Sequence, residues 1–177
     1  MNSRHSSKSK GIFYCRPHRL DREVKKRGEK MFYQLRLAET KDMNAIEAFL
    51  KKAGTSHKGL EEAKSQFIMM EDPPDEIVAC LGMEEFENKK GLLRSLVVSD
   101  KLSQGHIVSL FQSMQVLCEK RGIQTLYLVA NKRTSMDFLE VLGFKQAAAI
   151  PDELDESEHV SDSLNVNGAV LMEKTSN

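Results

Sequence analysis

One nearly continuous apolar run, Leu-Leu-Arg-Ser-Leu-Val-Val at positions 92–98, places the strongest constraint on how this chain folds. The run is far shorter than the roughly 20 apolar residues of a membrane-spanning helix, and it lacks the alternation of a strand with one face in water. It therefore predicts a strand buried on both faces of a sheet. Apolar residues recur at helical spacing over 107–118, and residues 125–130 form a second apolar run. The sequence thus predicts a strand, a covering amphipathic helix and a second buried strand.

Shorter patterns on either side complete the predicted fold. Thr40 or Asp42 can cap a helix that Gly54 ends, because such side chains accept N–H bonds at helix starts and glycine tolerates the left-handed conformation at helix ends. The other predicted helices cover 59–64 and 135–142. The strand that contains the run at 92–98 is predicted over 91–99, and the remaining strands cover 33–37, 67–70, 76–86, 144–150 and 169–173. Residues 151–162, with six acidic residues, predict a solvated loop with one helical turn. The order predicts an α+β (α/β) domain whose mixed sheet carries helices on both faces.

Charge divides the chain into two parts. Residues 1–30 contain ten Lys or Arg and three acidic residues, a net +7, so residues 31–177 sum to −7 in a neutral chain. A segment so poor in apolar residues predicts a disordered basic tail, and the acidic remainder argues against a nucleic-acid-binding surface. The tail shares its basic composition with mitochondrial presequences. We favour another hypothesis: residues 26–30 can be encoded by a ribosome-binding-like sequence, so that Met31 is the start and the tail is not translated.

The three cysteines are far apart in the sequence. Cys15, Cys80 and Cys118 form no CxxC pair, so the sequence predicts neither a zinc site nor a disulfide framework. Two buried thiols and one tail thiol fit a reducing compartment, and we expect a cytoplasmic protein without a metal and without a membrane segment.

Several short segments occur in an order and spacing that matches one known family. They are Ala53-Gly54, Gly59-Leu60, Gly82, residues 92–98, Arg121-Gly122-Ile123, Leu126-Tyr127-Leu128, residues 138–144, Ile150-Pro151 and residues 169–172. With them the chain resembles the GNAT N-acetyltransferases over about residues 35–174. It is most similar to the arsenic-resistance-associated acetyltransferases, which are related to the acetyltransferase domain of N-acetylglutamate synthase. The resemblance implies the GNAT fold, with a mixed and mostly antiparallel sheet, for residues 31–177.

The resemblance also implies an activity: transfer of the acetyl group of acetyl-CoA to the amine of a small acceptor. In this family two neighbouring strands splay apart and the pantetheine arm of the cofactor enters between them. The pyrophosphate binds in the loop before the long helix, where unpaired N–H groups attract anions. The residues that the resemblance assigns to acetyl-CoA are Leu96, Val97, Val98, Ser103, Gln104, Gly105, His106, Ile107, Val108 and Asn131.

Three residues are candidates for the acceptor site. Arg94 could bind a carboxylate of the acceptor bidentately, Glu84 lies on the neighbouring predicted strand, and His57 lies in the loop between the first two helices. Each also has a structural alternative: an ion pair for Arg94, a solvated strand charge for Glu84 and an exposed loop position for His57. GNAT domains commonly dimerise, so a homodimer is compatible with the resemblance, and the sequence itself does not determine the oligomeric state.

The chain departs from the family pattern where the pattern carries chemistry. The family's phosphate loop reads R/Q-x-x-G-x-G/A, whereas Ser103, His106 and Val108 stand at its defining positions here. Leu139 stands where many GNAT enzymes have a tyrosine acid, and Arg94 stands where many have a glutamate base. The catalytic residues therefore stay unassigned. The alternative function is a catalytically degenerate GNAT module that binds CoA weakly or binds a protein partner.

Overall fold

A central sheet organises the molecule. The computed structural model describes residues 13–14, 32–55, 60, 65–131 and 136–176. The strands are β1 (Phe13–Tyr14), β2 (Gln34–Leu37), β3 (Ser65–Asp72), β4 (Glu76–Phe86), β5 (Lys90–Val98), β6 (Thr125–Ala130), β7 (Lys145–Gln146) and β8 (Val170–Thr175). The helices are α1 (Met43–Ala53), α2 (Gln104–Lys120), α3 (Met136–Val141), α4 (Asp152–Asp155) and α5 (Glu158–Leu164).

The strand order is β2-β3-β4-β5-β6-β8-β7, with β1 paired to β5 outside this path. The pairs β1–β5 and β5–β6 are parallel, and the other neighbours are antiparallel. This confirms the predicted mixed, mostly antiparallel sheet. The apolar run of β5 lies in the middle of the order, where neighbouring strands and two layers of helices bury it.

Helices α2 and α3 cover one face of the sheet, which we call the α2 face. There Leu93 and Leu96 of β5 pack in one cluster with Leu110 and Met114 of α2 and Leu139 of α3. Burying a leucine or methionine side chain stabilises a fold by about 1.5–3 kcal/mol. The helical stripe predicted over 107–118 is therefore what holds α2 on the sheet.

The opposite face, which we call the α1 face, is covered in two halves. Ile46 and Leu50 of α1 pack against Phe67 of β3 and Val97 of β5. Gly54 ends α1 with φ 71°, the left-handed conformation that glycine adopts without steric cost. Helices on both faces are thus confirmed.

The second half of the α1 face shows a difference from the sequence prediction. Residues 151–162 were expected to form a solvated loop, but most of them belong to α4 and α5. Leu154 and Val160 are 0% and 1% exposed, and they pack on Leu92 and Val129. The physical reason is that these two apolar side chains face the sheet while the acidic ones between them face water.

One other prediction was wrong in extent. The strand expected over 144–150 is limited to β7, because only the backbone up to Ala147, whose N–H donates to Leu171 O at 2.9 Å, follows β8. Within residues 1–30, for which a disordered tail stays a prediction, the structure describes only β1, whose Phe13 and Tyr14 pair with Leu96 and Val97. The exposed edge of β5 explains this pairing, because unpaired N–H and C=O groups accept any extended segment. The helix predicted over 59–64 lies almost wholly outside the described residues.

No helix among the described residues has both the length and the apolar character that crossing a membrane requires. Cys80 and Cys118 are buried free thiols, and burial raises the pKa of each to about 12. Their thiols are therefore protonated and unreactive at neutral pH.

Candidate functional site

Strands β5 and β6 diverge after a short paired segment. Their register covers only Lys90–Thr125, Gly91–Leu126 and Leu92–Tyr127. Beyond Leu92 the β6-facing edge of β5 has no pairing with β6, while its other edge stays paired with β4 as far as Val98. A gap therefore opens between two parallel strands, as the resemblance implies, and Leu96, Val97 and Val98 belong to the part of β5 that has no pairing with β6.

The backbone of β1 lies along this same edge of β5. Since β4 already pairs with Val97 on one side, the parallel pairing of Phe13 with Leu96 and of Tyr14 with Val97 uses the side that faces β6. The edge can therefore hydrogen-bond an extended partner. Any extended ligand that used these N–H and C=O groups would have to displace residues 13 and 14.

A β-bulge at Ser95 changes the direction of side chains along β5. Ser95 has φ 55°, rare for a residue other than glycine, and the register between β4 and β5 shifts between Cys80 and Gly82. Bulges re-aim side chains and occur often beside functional sites. Arg94 is consequently directed to the α1 face, whereas Leu96, only two residues later, packs on the α2 face.

The start of α2 follows β5 in the chain, after the five connecting residues 99–103. Ser103 caps the helix in a capping box with His106, as the Ser103 N–H donates to His106 Nδ1 at 3.0 Å. The ring of Tyr33 contacts His106 edge to face, with centroids 4.9 Å apart. His106 thus stabilises the helix start. Since its Nδ1 accepts this bond, the neutral ring carries its proton on Nε2.

The remaining predicted loop residues differ in accessibility. Ser103, Gln104 and Gly105 are exposed, whereas Ile107 and Val108 are half-buried. The N–H groups of the first helical turn have no acceptor one turn earlier. Those of Gln104 and Gly105 can therefore bind an anion even without the family's glycines. Asn131 follows β6 directly and is half-buried.

Two of the three acceptor-site candidates come together on the α1 face. Arg94 Nη1 donates to Glu84 Oε2 at 3.0 Å, and the two side chains are 2% and 12% exposed. Glu85, the next residue, instead pairs with Arg121 at 2.9 Å. The ion-pair alternative for Arg94 is present in the structure, and the solvated alternative for Glu84 is wrong. His57 lies outside the described residues.

Sequence reasoning missed a histidine beside this pair. His159 of α5 has a buried Nε2 that finds no hydrogen-bond partner among the described residues. Burial, and then the positive charge of Arg94, lower its pKa to about 4, against an opposing effect of Asp162. The imidazole is therefore neutral at physiological pH. The only sequence signal was the apolar Val160 beside it, which indicated that part of the acidic segment is packed.

An ion-pair anchor holds α4 and α5 over the sheet. Lys90 Nζ donates to Glu153 Oε2 at 2.7 Å, and Asn88 Nδ2 donates to the other carboxylate oxygen. The hydrogen bond from Lys90, and then that from Asn88, lower the pKa of Glu153 to about 2. This contact fixes α4 to the β4–β5 hairpin and positions His159 near Arg94.

Two other features limit the chemistry. Leu139 is fully buried in the core of the α2 face, so it offers no acid. Among the described residues, no group of three or more potential ligands could hold a metal ion.

Comparison with known proteins places the chain. No protein-family model matches it. It is 56% identical over 146 residues to YwlB of Bacillus subtilis, a protein described as uncharacterized, with 82% of this chain and 99% of YwlB covered. The chain belongs to the YwlB family.

Solved structures show that this YwlB-family chain has the GNAT fold. A GNAT acetyltransferase from Staphylococcus aureus matches with a TM-score of 0.64 and 13% identity over 81% of this chain and 99% of its own. Rv2747 from Mycobacterium tuberculosis, in complex with CoA and NLQ, matches with a TM-score of 0.59 and 16% identity over 81% of this chain and 99% of its own. N-acetylglutamate synthase from Neisseria gonorrhoeae, with CoA and N-acetyl-glutamate, matches with a TM-score of 0.58 and 18% identity over 83% of this chain and 36% of its own. The predicted GNAT fold is confirmed, and the closer similarity to arsenic-resistance-associated enzymes stays a prediction.

Proposed function

We propose that this protein is an N-acetyltransferase that moves the acetyl group of acetyl-CoA to the amine of a small acceptor. The observation that carries the proposal is the gap between β5 and β6; the start of α2 follows β5 in the chain after a short connection. Two proteins of the same fold, Rv2747 and N-acetylglutamate synthase, were crystallised with CoA. A parallel gap of this kind suits an extended chain that carries amides, such as pantetheine.

The cofactor would contact two parts of the gap. The amides of pantetheine would bond the edge of β5 at Leu96–Val98 in place of β1, and Asn131 would lie across from them at the end of β6. The pyrophosphate would bind the first-turn N–H groups of α2 over residues 103–108, where the helix dipole favours negative charge. The Nε2–H of His106 can add one donor.

The acceptor would lie on the α1 face near Arg94. Attack on the thioester carbonyl requires a neutral amine, so the ammonium must lose a proton before the carbon–nitrogen bond forms and the thiolate leaves. With no tyrosine at position 139, holding both reactants together would supply much of the rate.

Arg94 is the residue that favours a carboxylate on the acceptor. Its guanidinium pairs with the carboxylate of Glu84, and the planar fork of an arginine matches the geometry of carboxylates. N-acetylglutamate synthase of Neisseria gonorrhoeae was crystallised with N-acetyl-glutamate and with L-arginine. These ligands support a small amino acid as the acceptor class, and His57 stays a predicted contact.

Acetyl-CoA binding tests the proposal directly. A ligand present at 100 times its Kd adds about 2.7 kcal/mol to the free energy of unfolding, so acetyl-CoA should raise the melting temperature of the full chain. Transfer is then measured with the proteinogenic L-amino acids and simple alkylamines, following release of free CoA thiol. No thermal shift at millimolar acetyl-CoA would contradict the proposal.

The alternative is a GNAT module that no longer catalyses. Two observations favour it: Leu139 replaces a possible acid inside the core, and His106 serves as a helix cap. A module that binds CoA weakly expects a thermal shift with acetyl-CoA but no release of thiol with any amine, and a module that binds only a protein partner expects no shift. The same two measurements therefore separate the candidates.

A further inference from the structure

Buried polar groups without partners are concentrated where β5 and β6 diverge. Native proteins satisfy most buried polar atoms, so each exception calls for an explanation. Among the described residues, Ser95 Oγ and His159 Nε2 are two such atoms. Ser95 follows Arg94 in the bulge, and His159 is close enough to Arg94 for that charge to act on it. Strand β5 and helix α5 thus bring these polar groups close together.

Packing holds His159 there firmly. Its neighbour Val160 is 1% exposed and packs on β6 through Val129, and Glu153 anchors the preceding helix to Lys90. The residue as a whole is half-buried, and its Nε2 is shielded from solvent. A half-buried imidazole whose shielded ring nitrogen has no partner among the described residues is suited to bind a ligand group.

The position of Arg94 and His159 relative to the gap indicates which group of the ligand they would contact. Arg94 lies two residues beyond Leu92, the last residue of β5 that pairs with β6. Leu96–Val98, the proposed contacts of pantetheine, follow immediately on the same strand. Arg94 is thus next along β5 to the position that the thioester would occupy, and His159 lies close enough to Arg94 for its charge to act on the imidazole.

The chemistry of the imidazole then decides the role. His159 is neutral, because burial and the positive charge of Arg94 both lower its pKa. A neutral imidazole protonated on Nδ1 offers a lone pair on Nε2. That lone pair matches an N–H donor such as the neutral amine of the acceptor.

We infer that His159 is a positioning residue of the acceptor site: its Nε2 accepts a hydrogen bond from the acceptor's amine and orients the nitrogen toward the thioester. The inference rests on the proposed function and deepens it. With Arg94 holding a carboxylate and His159 the amine, the site selects small molecules that carry both groups. Simple alkylamines, which lack the carboxylate, are poorer acceptors.

Two substitutions in the full chain test the role. His159→Phe removes the acceptor atom at similar size, and kcat/KM for the best amino acid of the panel should fall about 10- to 100-fold, with the KM for acetyl-CoA unchanged. His159→Gln keeps an acceptor and should recover activity to within about threefold of wild type. Glu156→Gln, an exposed position of the same segment, is the control and should have no effect.

Each result bears on the inference. Wild-type kcat/KM in His159→Phe would overturn it while leaving the acetyltransferase intact, and equal losses in both variants would replace the positioning role with proton transfer by the imidazole. If His159→Phe does not fold, the full chain labelled with [15N]histidine is titrated with glycine and methylamine in the presence of CoA. The Nε2 resonance of His159 should shift with glycine, and no shift would overturn the inference. Absence of CoA binding would instead reject the proposed function.

Discussion

At the scale of single residues, the buried pair of Arg94 and Glu84 has consequences for stability as well as for ligand binding. Both side chains lie on the α1 face, and in the 3.0 Å contact the negative carboxylate of Glu84 balances the positive charge of the Arg94 guanidinium. Burying two charges is costly, and the pair compensates only while both partners are present. Glu85 provides a natural comparison, because it forms a salt bridge with Arg121 in which the side chains of Glu85 and Arg121 are 28% and 39% exposed.

We predict that Glu84→Leu lowers the free energy of unfolding by about 3–5 kcal/mol, because it leaves Arg94 charged and buried without this carboxylate. The double variant Glu84→Leu/Arg94→Met should recover most of the loss. Glu85→Gln should change stability by about 0–1 kcal/mol, as expected of a partly exposed bridge. Urea unfolding measures all three, and a single variant as stable as the double one would contradict the prediction.

His159 predicts a pH dependence of stability. Its pKa is about 4 in the folded chain and 6.5 ordinarily, so the unfolded chain binds more protons between these values and stability falls as pH falls through this window. The loss should reach about 3 kcal/mol, since one unit of pKa difference corresponds to about 1.4 kcal/mol. His159→Gln should remove this component in unfolding curves recorded from pH 7 to 4. Glu153 affects the free energy of unfolding only at lower pH, because its pKa in the folded chain is about 2.

At the scale of elements, β1 and the proposed cofactor need the same edge of β5. Parallel pairing at Leu96 and Val97 satisfies backbone groups that pantetheine would otherwise bond. Replacing Phe13 and Tyr14 together by proline removes both N–H donors of β1. We predict that acetyl-CoA then binds the full chain more tightly in calorimetric titration. Ser6→Pro/Ser7→Pro is the matched control in the same segment, and equal affinities for all three proteins would contradict the competition.

Elements also differ in how well the sequence predicted them. The bounds of β4 and β6 match the predicted ones because each is a long apolar run between turn residues. Helices α4 and α5 could not be predicted, because six acidic residues in this segment outnumber the two apolar side chains that hold the helices on the sheet. The bulge at Ser95 has no local signal, since no glycine or proline occurs there. Tertiary contacts with β4 impose it.

The same reasoning applies to the candidate site. The start of α2 could be predicted from the amphipathic pattern that follows residues 103–106, whereas the gap was implied only by the resemblance to GNAT enzymes. The Arg94–Glu84 contact could be anticipated only as one of two alternatives, since it depends on the register of β4 and β5. His159 could not be predicted, because its role depends on how a segment remote in sequence packs over β5.

At the scale of the whole molecule, the sheet is continuous except at the gap. Hydrogen exchange should therefore be slowest in the centre of β4 and β5, whose residues 91–97 are all buried, and faster in β7, which has two residues at an edge. We predict that acetyl-CoA slows exchange at Leu96–Val98 and at the first turn of α2 and leaves β2 unchanged. Protection spread evenly over the chain would contradict a site confined to the gap.

The left-handed backbone of Ser95 has a consequence for which sequences this fold tolerates. A side chain at φ 55° is strained, and its hydroxyl is buried without a partner among the described residues. Exchange to glycine or asparagine should be accepted there, whereas valine or isoleucine, common in strands, should be rejected. An apparently ordinary serine in an apolar strand is thus a position where the backbone conformation, and not the strand preference of the side chain, limits substitution.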